Sequence, residues 1–189
     1  GEYWNAEIQY TLAIELNPNN PKTYLYRAFT YLEREYFSYA IKDLTKVIEL
    51  NPNDISAYYL RGRIRSFDII NEDAKAIKDF NKVIELNSND EDVIHKRYAG
   101  EAPKAQKLRY FENPYFCRGR IKAELGDYSG AIRDYNIAIE SDPFFPFYYH
   151  FRGWSKKHIG DLNAACEDWN QANKLGMDDS INEIKRFCN

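Results

Sequence analysis

The sequence predicts an all-α fold in which helix-turn-helix units stack side by side into a solenoid. The first observation is a recurring block, AIELNPNN from Ala13, VIELNPND from Val47 and VIELNSND from Val83, at spacings of 34 and 36 residues. The second is a small residue followed four positions later by a large one and seven positions later by another small or β-branched one. These offsets place all three residues on one face of a helix, and this repeat length is typical of helical arrays.

This stripe marks the second helix of each unit. Its three columns are Ala6, Ala40, Ala76, Ala131 and Ala165; Tyr10, Leu44, Phe80, Tyr135 and Trp169; and Ala13, Val47, Val83, Ala138 and Ala172. A first helix is marked by a Tyr followed four residues later by Ala or Gly, as in Tyr24 and Ala28, or Tyr115 and Gly119. In the turns Gly126-Asp127 and Gly160-Asp161, Gly should end one helix and Asp should cap the next.

The order of these positions resembles the tetratricopeptide repeat (TPR), in which a large residue, Gly or Ala, Ala, an aromatic residue, a small residue and Pro follow one another. The resemblance covers residues 1–88 and 112–177. It implies a right-handed superhelix of antiparallel helix pairs, with a concave face lined by the first helix of each unit. Stacking is also expected because one helix pair cannot bury its apolar stripe alone.

We therefore predict a single TPR domain over residues 1–189. Its segments are 1–20, the second helix of a partial repeat; 21–54, a repeat; 55–90, a repeat with a two-residue insertion; 91–111, a degenerate shortened repeat; 112–145 and 146–177, two repeats; and 178–189, a capping helix. For 91–111, an insert that docks into the groove and a joint between two short arrays remain alternatives. The run before the cap resembles that of bacterial family members and indicates a bacterial-type array.

Composition and charge argue against several function classes. The 189 residues carry a formal net charge of −3 and no basic tract, which argues against nucleic-acid binding. No apolar run is long enough to span a membrane. Phosphate loops, nucleophile elbows and metal-ligand spacings are missing, so we expect no enzyme, no cofactor and no metal. The localisation is open: cytoplasmic or, if a signal peptide once preceded Gly1, periplasmic.

One Arg and one Asp recur in every full unit. Each Arg stands one position before the small residue of the first helix, and each Asp stands one position before the large residue of the second helix. Because a catalytic acid would have no reason to recur in this way, we expect structural ion pairs with bidentate geometry. The predicted partners are Arg27, Arg61, Arg118 and Arg152, with Asp43, Asp79, Asp134 and Asp168.

The three cysteines, Cys117, Cys166 and Cys188, are an odd number and do not indicate a disulfide framework. Cys166 lies in the last second helix and Cys188 in the helix that is expected to cover it. Two interpretations follow. Either both are small buried apolar residues, or they form a disulfide, which would imply an oxidising compartment.

The resemblance places the functional surface on the first helices, one and five positions after the recurring Tyr. These predicted groove residues are Leu25, Phe29, Tyr59, Arg63, Phe116, Arg120, His150, Trp154 and, extending the last row, Lys157. Aromatic anchors beside Arg and Lys favour a peptide or helix that carries apolar and acidic groups. The Lys and Asn clamp by which one TPR subclass holds the C-terminal carboxylate of chaperones is not matched here.

The sequence thus predicts a non-catalytic interaction scaffold that binds a peptide or helix of an unidentified protein partner in its concave groove. The alternative is a structural module that forms a homodimer. In that case, the contact would be made by the open N-terminal helix or by the irregular middle segment.

Overall fold

A computed structural model describes residues 2–67, 70–87 and 113–188, and all regular elements in these ranges are α-helices. The all-α prediction is therefore confirmed. The chain divides into two compact units, unit 1 (Gly1–Phe111) and unit 2 (Glu112–Asn189). The predicted degenerate repeat at 91–111 lies outside the described residues. None of the described helices is both long enough and apolar enough to cross a bilayer.

Unit 1 contains five described helices. They are α1 (Glu2–Leu16), α2 (Pro21–Glu33), α3 (Phe37–Leu50), α4 (Ile55–Arg65) and α5 (Asp73–Asn87). Helices α2 and α3 form one antiparallel pair and α4 and α5 form the next, while α1 packs on α2 and α3 packs on α4. Unit 1 is thus a series of helix pairs in which α1 and α3 also contact the first helix of the pair that follows.

The starts of the first helices in unit 1 follow from side-chain capping. The Asn20 side chain accepts a hydrogen bond from the Lys22 amide (3.1 Å). Pro21 begins α2 at a position where a backbone N–H would have no acceptor within the helix, so its missing N–H costs nothing. The Asp54 carboxylate accepts from the Ala57 amide (3.0 Å) at the start of α4. These caps satisfy amides that have no partner within the helix.

The core of unit 1 is built from the predicted stripe. Ala40, Leu44 and Val47 are fully buried on α3, as are Ala76, Phe80 and Val83 on α5. Ala28 is also fully buried and lets α2 lie close to its neighbours. Small and large residues therefore interdigitate across the helix pairs, as the spacing predicts.

Unit 2 repeats this arrangement and adds a final short helix. Its helices are α6 (Pro114–Glu124), α7 (Tyr128–Ser141), α8 (Pro146–His158), α9 (Leu162–Lys174) and α10 (Ser180–Phe187). Helices α6 and α7 form one pair and α8 and α9 another, α7 packs on α8, and α10 packs on α9. The turns contain Gly126 at φ 86° and Gly160 at φ 89°, a conformation that Gly adopts without strain.

The last helix is tied to its neighbour by a covalent bond. Cys166 on α9 and Cys188 at the end of α10 form a disulfide with a Cα–Cα distance of 5.7 Å, which decides between the two interpretations of these cysteines. Phe187 packs against Trp154 and Trp169, with ring centroids 6.1 Å and 5.8 Å away. Helix α10 therefore covers the end of the α8–α9 pair, while Cys117 is a buried thiol outside this disulfide.

Gly119 marks the closest approach of α6 to α7. A Cβ atom at this position would lie 2.8 Å from Cε1 of Tyr135, whose side chain is fully buried. Replacing Gly119 with Val is therefore expected to lower the free energy of unfolding by about 1–2 kcal/mol, because overpacking outweighs the gain in helix propensity. Urea denaturation followed by circular dichroism measures the change.

Ser129→Val, at an exposed position of α7, is the control for this substitution. We expect it to change the free energy of unfolding by less than about 0.5 kcal/mol. Equal midpoints for Gly119→Val and the wild-type protein would contradict the predicted repeat register.

Candidate functional site

Each recurring Arg forms a two-pronged ion pair with the recurring Asp of the same helix pair. The Arg27 Nε donates to Asp43 Oδ2 and Nη2 donates to Oδ1, both at 2.8 Å. Hydrogen bonding to Asp43 raises the pKa of Arg27 above its already high value. The same fork joins the other pairs at 2.6–3.0 Å: Arg61 to Asp79, Arg118 to Asp134, and Arg152 to Asp168.

Three of these carboxylates also bind a second cation that the sequence analysis missed. It lies four residues after the recurring Arg, so one turn of helix brings both cations to the same Asp. Its signal in the sequence is a Lys or Arg at this spacing, whereas the first full repeat has Tyr31 there. The additional contacts are Arg65 to Asp79 (2.7 Å), Lys122 to Asp134 (2.9 Å) and Lys156 to Asp168 (2.9 Å).

The recurring Arg also reaches the second helix of the preceding pair. The Nη1 atom of Arg27 donates to Thr11 Oγ1 (3.1 Å) and that of Arg61 donates to Thr45 Oγ1 (3.0 Å). In unit 2, Nη1 of Arg152 donates to the Asn136 side chain (2.7 Å). These guanidinium groups are thus part of the framework of the fold.

Four predicted groove residues do not face a groove, and the structure corrects their assignment. Leu25, Phe29, Tyr59 and Phe116 have exposed fractions of 7%, 3%, 1% and 2%. Their side chains pack into the core against adjacent helices. Phe116, for example, lies within 5.0–6.3 Å of the rings of Tyr148, Phe151 and Phe145 on or next to α8.

The remaining predicted residue of unit 1, Arg63, is half-buried. Its Nη1 donates to the Tyr59 hydroxyl at 3.2 Å, so this guanidinium has a partner within its own helix. The equivalent residue in unit 2 is Arg120, where the position of Tyr59 is taken by Phe116, which has no hydroxyl. The two arginines therefore occupy different chemical surroundings.

Unit 2 contains a cleft of about 380 Å³ between α6, α7 and α8, which we call the unit 2 cleft. It brings together three predicted residues, Arg120, His150 and Trp154. Lys157 lies beside it, with its ammonium 4.7 Å from the Trp154 ring and 4.2 Å from the Phe187 ring. The other lining residues, not predicted as contacts, are Ala123, Glu124, Tyr128, Tyr135, Phe151, Ser155 and His158.

Two polar atoms at this cleft lack a hydrogen-bond partner among the described residues: Nε of Arg120 and the hydroxyl of Tyr135, both buried. Burial raises the pKa of the Tyr135 hydroxyl far above its usual value, and the charge of Arg120 opposes this shift. The rest of the Arg120 side chain is partly exposed (43%) and lies over the Phe151 ring at 5.4 Å. The cleft thus combines buried donors with a guanidinium that solvent can reach.

The walls of the unit 2 cleft are mainly aromatic. Tyr128 and His158 stack almost in parallel with a centroid distance of 4.4 Å, and Trp154 lies 6.3 Å from His158. The His150 Nδ1 lies 2.9 Å from Ser180 Oγ on α10. Burial lowers the pKa of His150, although the carboxylates of Glu183 and Asp179 act in the opposite direction. No His, Cys, Asp and Glu cluster suitable for a metal occurs in the described residues.

Known structures and relatives identify the family. The fold matches MamA with a TM-score of 0.76 and 23% identity over 93% of this chain and 83% of MamA. It matches YrrB, described as a TPR protein with an unusual peptide-binding site, with a TM-score of 0.77 and 18% identity over 97% of this chain and 84% of YrrB. The tetratricopeptide repeat and J domain-containing co-chaperone DNJ1 of Cryptococcus neoformans is 30% identical over 112 residues.

The chain is a tetratricopeptide-repeat protein. Human serine/threonine-protein phosphatase 5 is 45% identical to this TPR protein over 60 residues, or 32% of the chain and 12% of the phosphatase. The DNJ1 match covers 59% of the chain and 22% of DNJ1. Because the chain spans only these small fractions of its curated relatives, the phosphatase match carries no catalytic activity with it. No protein-family profile matches the chain.

Proposed function

We propose that this TPR protein is a non-catalytic scaffold that binds a peptide or helix of a protein partner, and that the unit 2 cleft is its contact site in unit 2. The observation that supports this most directly is the convergence of Arg120, Trp154 and His150 on one cleft. Trp and Arg are the residues that most often dominate the energy of protein interfaces.

The chemistry of the cleft suits a polypeptide ligand. Its aromatic rings offer a large contact area that loses little conformational entropy on binding, and Arg120 can bind an acceptor oxygen in a defined direction. Lys157 adds a positive charge beside Trp154. The net charge of −3 gives no support to nucleic acid as the ligand, since phosphate binding requires an excess of clustered cations.

The comparisons support the same class of partner. YrrB is described by its peptide-binding site, and DNJ1 is a co-chaperone. YrrB is 18% identical to this chain and DNJ1 is 30% identical, and these properties are those of YrrB and DNJ1. They favour a protein ligand without indicating which protein it is.

A displayed peptide library selected on the purified protein tests this proposal. We expect Trp154→Ala combined with Arg120→Ala to weaken binding of the selected peptides by at least tenfold, because an aromatic and an Arg anchor are both lost. Fluorescence anisotropy with labelled peptides measures the affinity. Circular dichroism checks that helicity is kept, since Trp154 also contacts Phe187 on α10.

The matched control combines Phe144→Ala with Arg133→Ala. It removes the same kinds of group from exposed positions outside the cleft and should leave peptide affinity unchanged within about twofold. Equal loss of binding in both double variants would contradict the assignment of the cleft as the contact site.

A second candidate function, self-association, is favoured by one observation in unit 1. Ile8, Leu12 and Leu16 are 42%, 48% and 88% exposed and follow one another at intervals of four along α1, so they form an apolar stripe. Light scattering on the sample used for peptide selection separates the two functions. A mass of two chains together with no selected peptide would favour the homodimer.

A further inference from the structure

We propose that the disulfide between Cys166 and Cys188 is a redox switch for the unit 2 cleft: the oxidised protein binds a polypeptide there, and reduction by a dithiol releases α10 and weakens this binding. The proposal rests on the proposed function and adds its regulation. The observation that carries it is that α10, which the disulfide fastens to α9, contacts two side chains that line the cleft, His150 and Trp154.

Helix α10 acts on the cleft through the side chains of α8. It contributes none of the described residues that line the cleft. However, the fully buried Ser180 places its hydroxyl 2.9 Å from His150 Nδ1. The Phe187 ring lies 6.1 Å from the Trp154 ring and 4.2 Å from the Lys157 ammonium. These contacts restrict the rotamers of the α8 side chains, so a ligand does not have to order them on binding.

Apart from the disulfide, α10 is held in place by few favourable contacts. Of its eight residues only Ser180 is buried, and a helix of this length is not stable alone. In the docked helix, Oε2 of Glu183 is buried without a hydrogen-bond partner among the described residues. This opposes docking, because a carboxylate oxygen loses water and gains no donor. The covalent bond therefore decides whether α10 stays docked.

Release of α10 should leave α8 and α9 folded. These two helices are joined by the Arg152–Asp168 fork and by Lys156, whose ammonium binds the same carboxylate at 2.9 Å. Trp169 is fully buried and packs so closely on Gly153 that a Cβ atom there would lie 2.7 Å from its Nε1. Reduction should therefore produce a local opening of unit 2 instead of its unfolding.

The chemistry of the switch is thiol–disulfide exchange. Cys166 and Cys188 are both partly exposed, so a small dithiol can approach the bond between them. A thiolate of the dithiol attacks one sulfur, which forms a mixed disulfide, and the other cysteine leaves as a thiolate and takes up a proton. The second thiol of the reductant then loses its proton and displaces the remaining cysteine, which is protonated in turn. The protein gains two electrons and two protons, and the reductant becomes a disulfide.

The experiment measures peptide affinity in both redox states. Cysteine-free peptides are selected on the oxidised wild-type protein, and fluorescence anisotropy gives their affinity before and after reduction with dithiothreitol. We expect reduction to weaken binding about tenfold, because the ligand must then order Trp154 and His150 itself. Cys188→Ser should bind as weakly as the reduced wild type, and dithiothreitol should not change it further. This last comparison excludes an effect through Cys117.

The reverse effect gives a second measurement. Coupling between two equilibria is reciprocal, so a saturating peptide should stabilise the disulfide against reduction. The ratio of reduced to oxidised dithiothreitol at which half of the disulfide is open should rise by the same factor, about tenfold. Alkylation of the free thiols followed by mass spectrometry measures the open fraction.

Phe187→Ala tests whether α10 acts through its contact with the α8 side chains. It removes the ring that lies against Trp154 and Lys157 but keeps the disulfide. In the oxidised protein it should weaken peptide binding about three- to tenfold. Asn182→Ala, at an exposed position of the same helix, is the matched control and should leave the affinity unchanged.

Several results would overturn the switch and leave the scaffold function standing. They are equal or tighter binding after reduction, and a half-reduction ratio that the peptide does not change. Loss of hydrogen-exchange protection in α8 and α9 on reduction would also overturn it, because the weaker binding would then come from unfolding. Failure to select any peptide would overturn both the switch and the scaffold function.

Discussion

Replacing Asp134 with Asn is expected to lower the free energy of unfolding by about 2–4 kcal/mol. The Asp134 side chain is only 3% exposed and binds both Arg118 (2.6 Å) and Lys122 (2.9 Å). Asn keeps the shape but removes the negative charge, so two cations lose their counter-ion. The expected loss lies below that of a fully buried pair because the two cations are 16% and 21% exposed and can be partly hydrated. Urea denaturation followed by Trp fluorescence measures it.

Glu140→Gln is the control, because it makes the same change of charge at an exposed position of the same helix. It should change the free energy of unfolding by less than about 0.5 kcal/mol. If Asp134→Asn unfolded at the same urea concentration as Glu140→Gln, the ion pair would contribute little to the free energy of unfolding. The apolar packing of α6 on α7 would then be what holds these two helices together.

Cys188→Ser should release α10 from the end of unit 2. A cross-link that closes a loop of this length, with a sequence separation of 22, stabilises the folded state by about 3 kcal/mol in the chain-entropy account. Helix α10 has eight residues, too few to be stable alone, and only Ser180 in it is buried. We therefore expect hydrogen exchange of the Ser180–Phe187 amides to accelerate by about 100-fold.

Reduction of the wild-type protein provides an independent control. A thiol reductant should convert the wild-type exchange pattern into that of Cys188→Ser and should have no further effect on the variant. Because α10 covers Trp154 and Trp169 through Phe187, the Trp emission should also shift to longer wavelength. Unchanged protection of α10 in the variant would show that the apolar contacts alone keep it docked.

The fold could be predicted because its information is local and repeated. Ala40, Leu44 and Val47 share one face of α3 through simple helical spacing, and their counterparts in the other pairs do the same. The positions of the turns could also be predicted, because the backbone of Gly126 and Gly160 has a positive φ that few other residues adopt. Packing then follows from the need of each pair to cover its stripe.

The candidate site could be predicted only in part. Periodicity shows which residues share a face, but not how far the next pair covers that face. For this reason the spacing predicts Phe116 and Tyr59 in the groove, whereas the structure buries them. Arg120 and Trp154 do line the cleft. The spacing assigns Tyr135 to the core stripe, but it does not show that the hydroxyl lacks a hydrogen-bond partner among the described residues.

The disulfide could not be predicted from the spacing of the cysteines either. Cys166 and Cys188 are separated by 22 positions, and their distance is set by how α10 folds back on α9. Sequence position alone does not determine such a distance, so the sequence is compatible with both interpretations.

The contacts of the recurring Arg affect the order in which the helix pairs of each unit unfold. Arg27, Arg61 and Arg152 each bind the Asp of their own helix pair and a Thr or Asn on the helix before it. Each is thus a nearest-neighbour coupling in the sense of a one-dimensional Ising chain. Opening one pair breaks a bond at its boundary as well as within it, so within each unit unfolding should advance as a front from the weaker end, in steps of one helix pair.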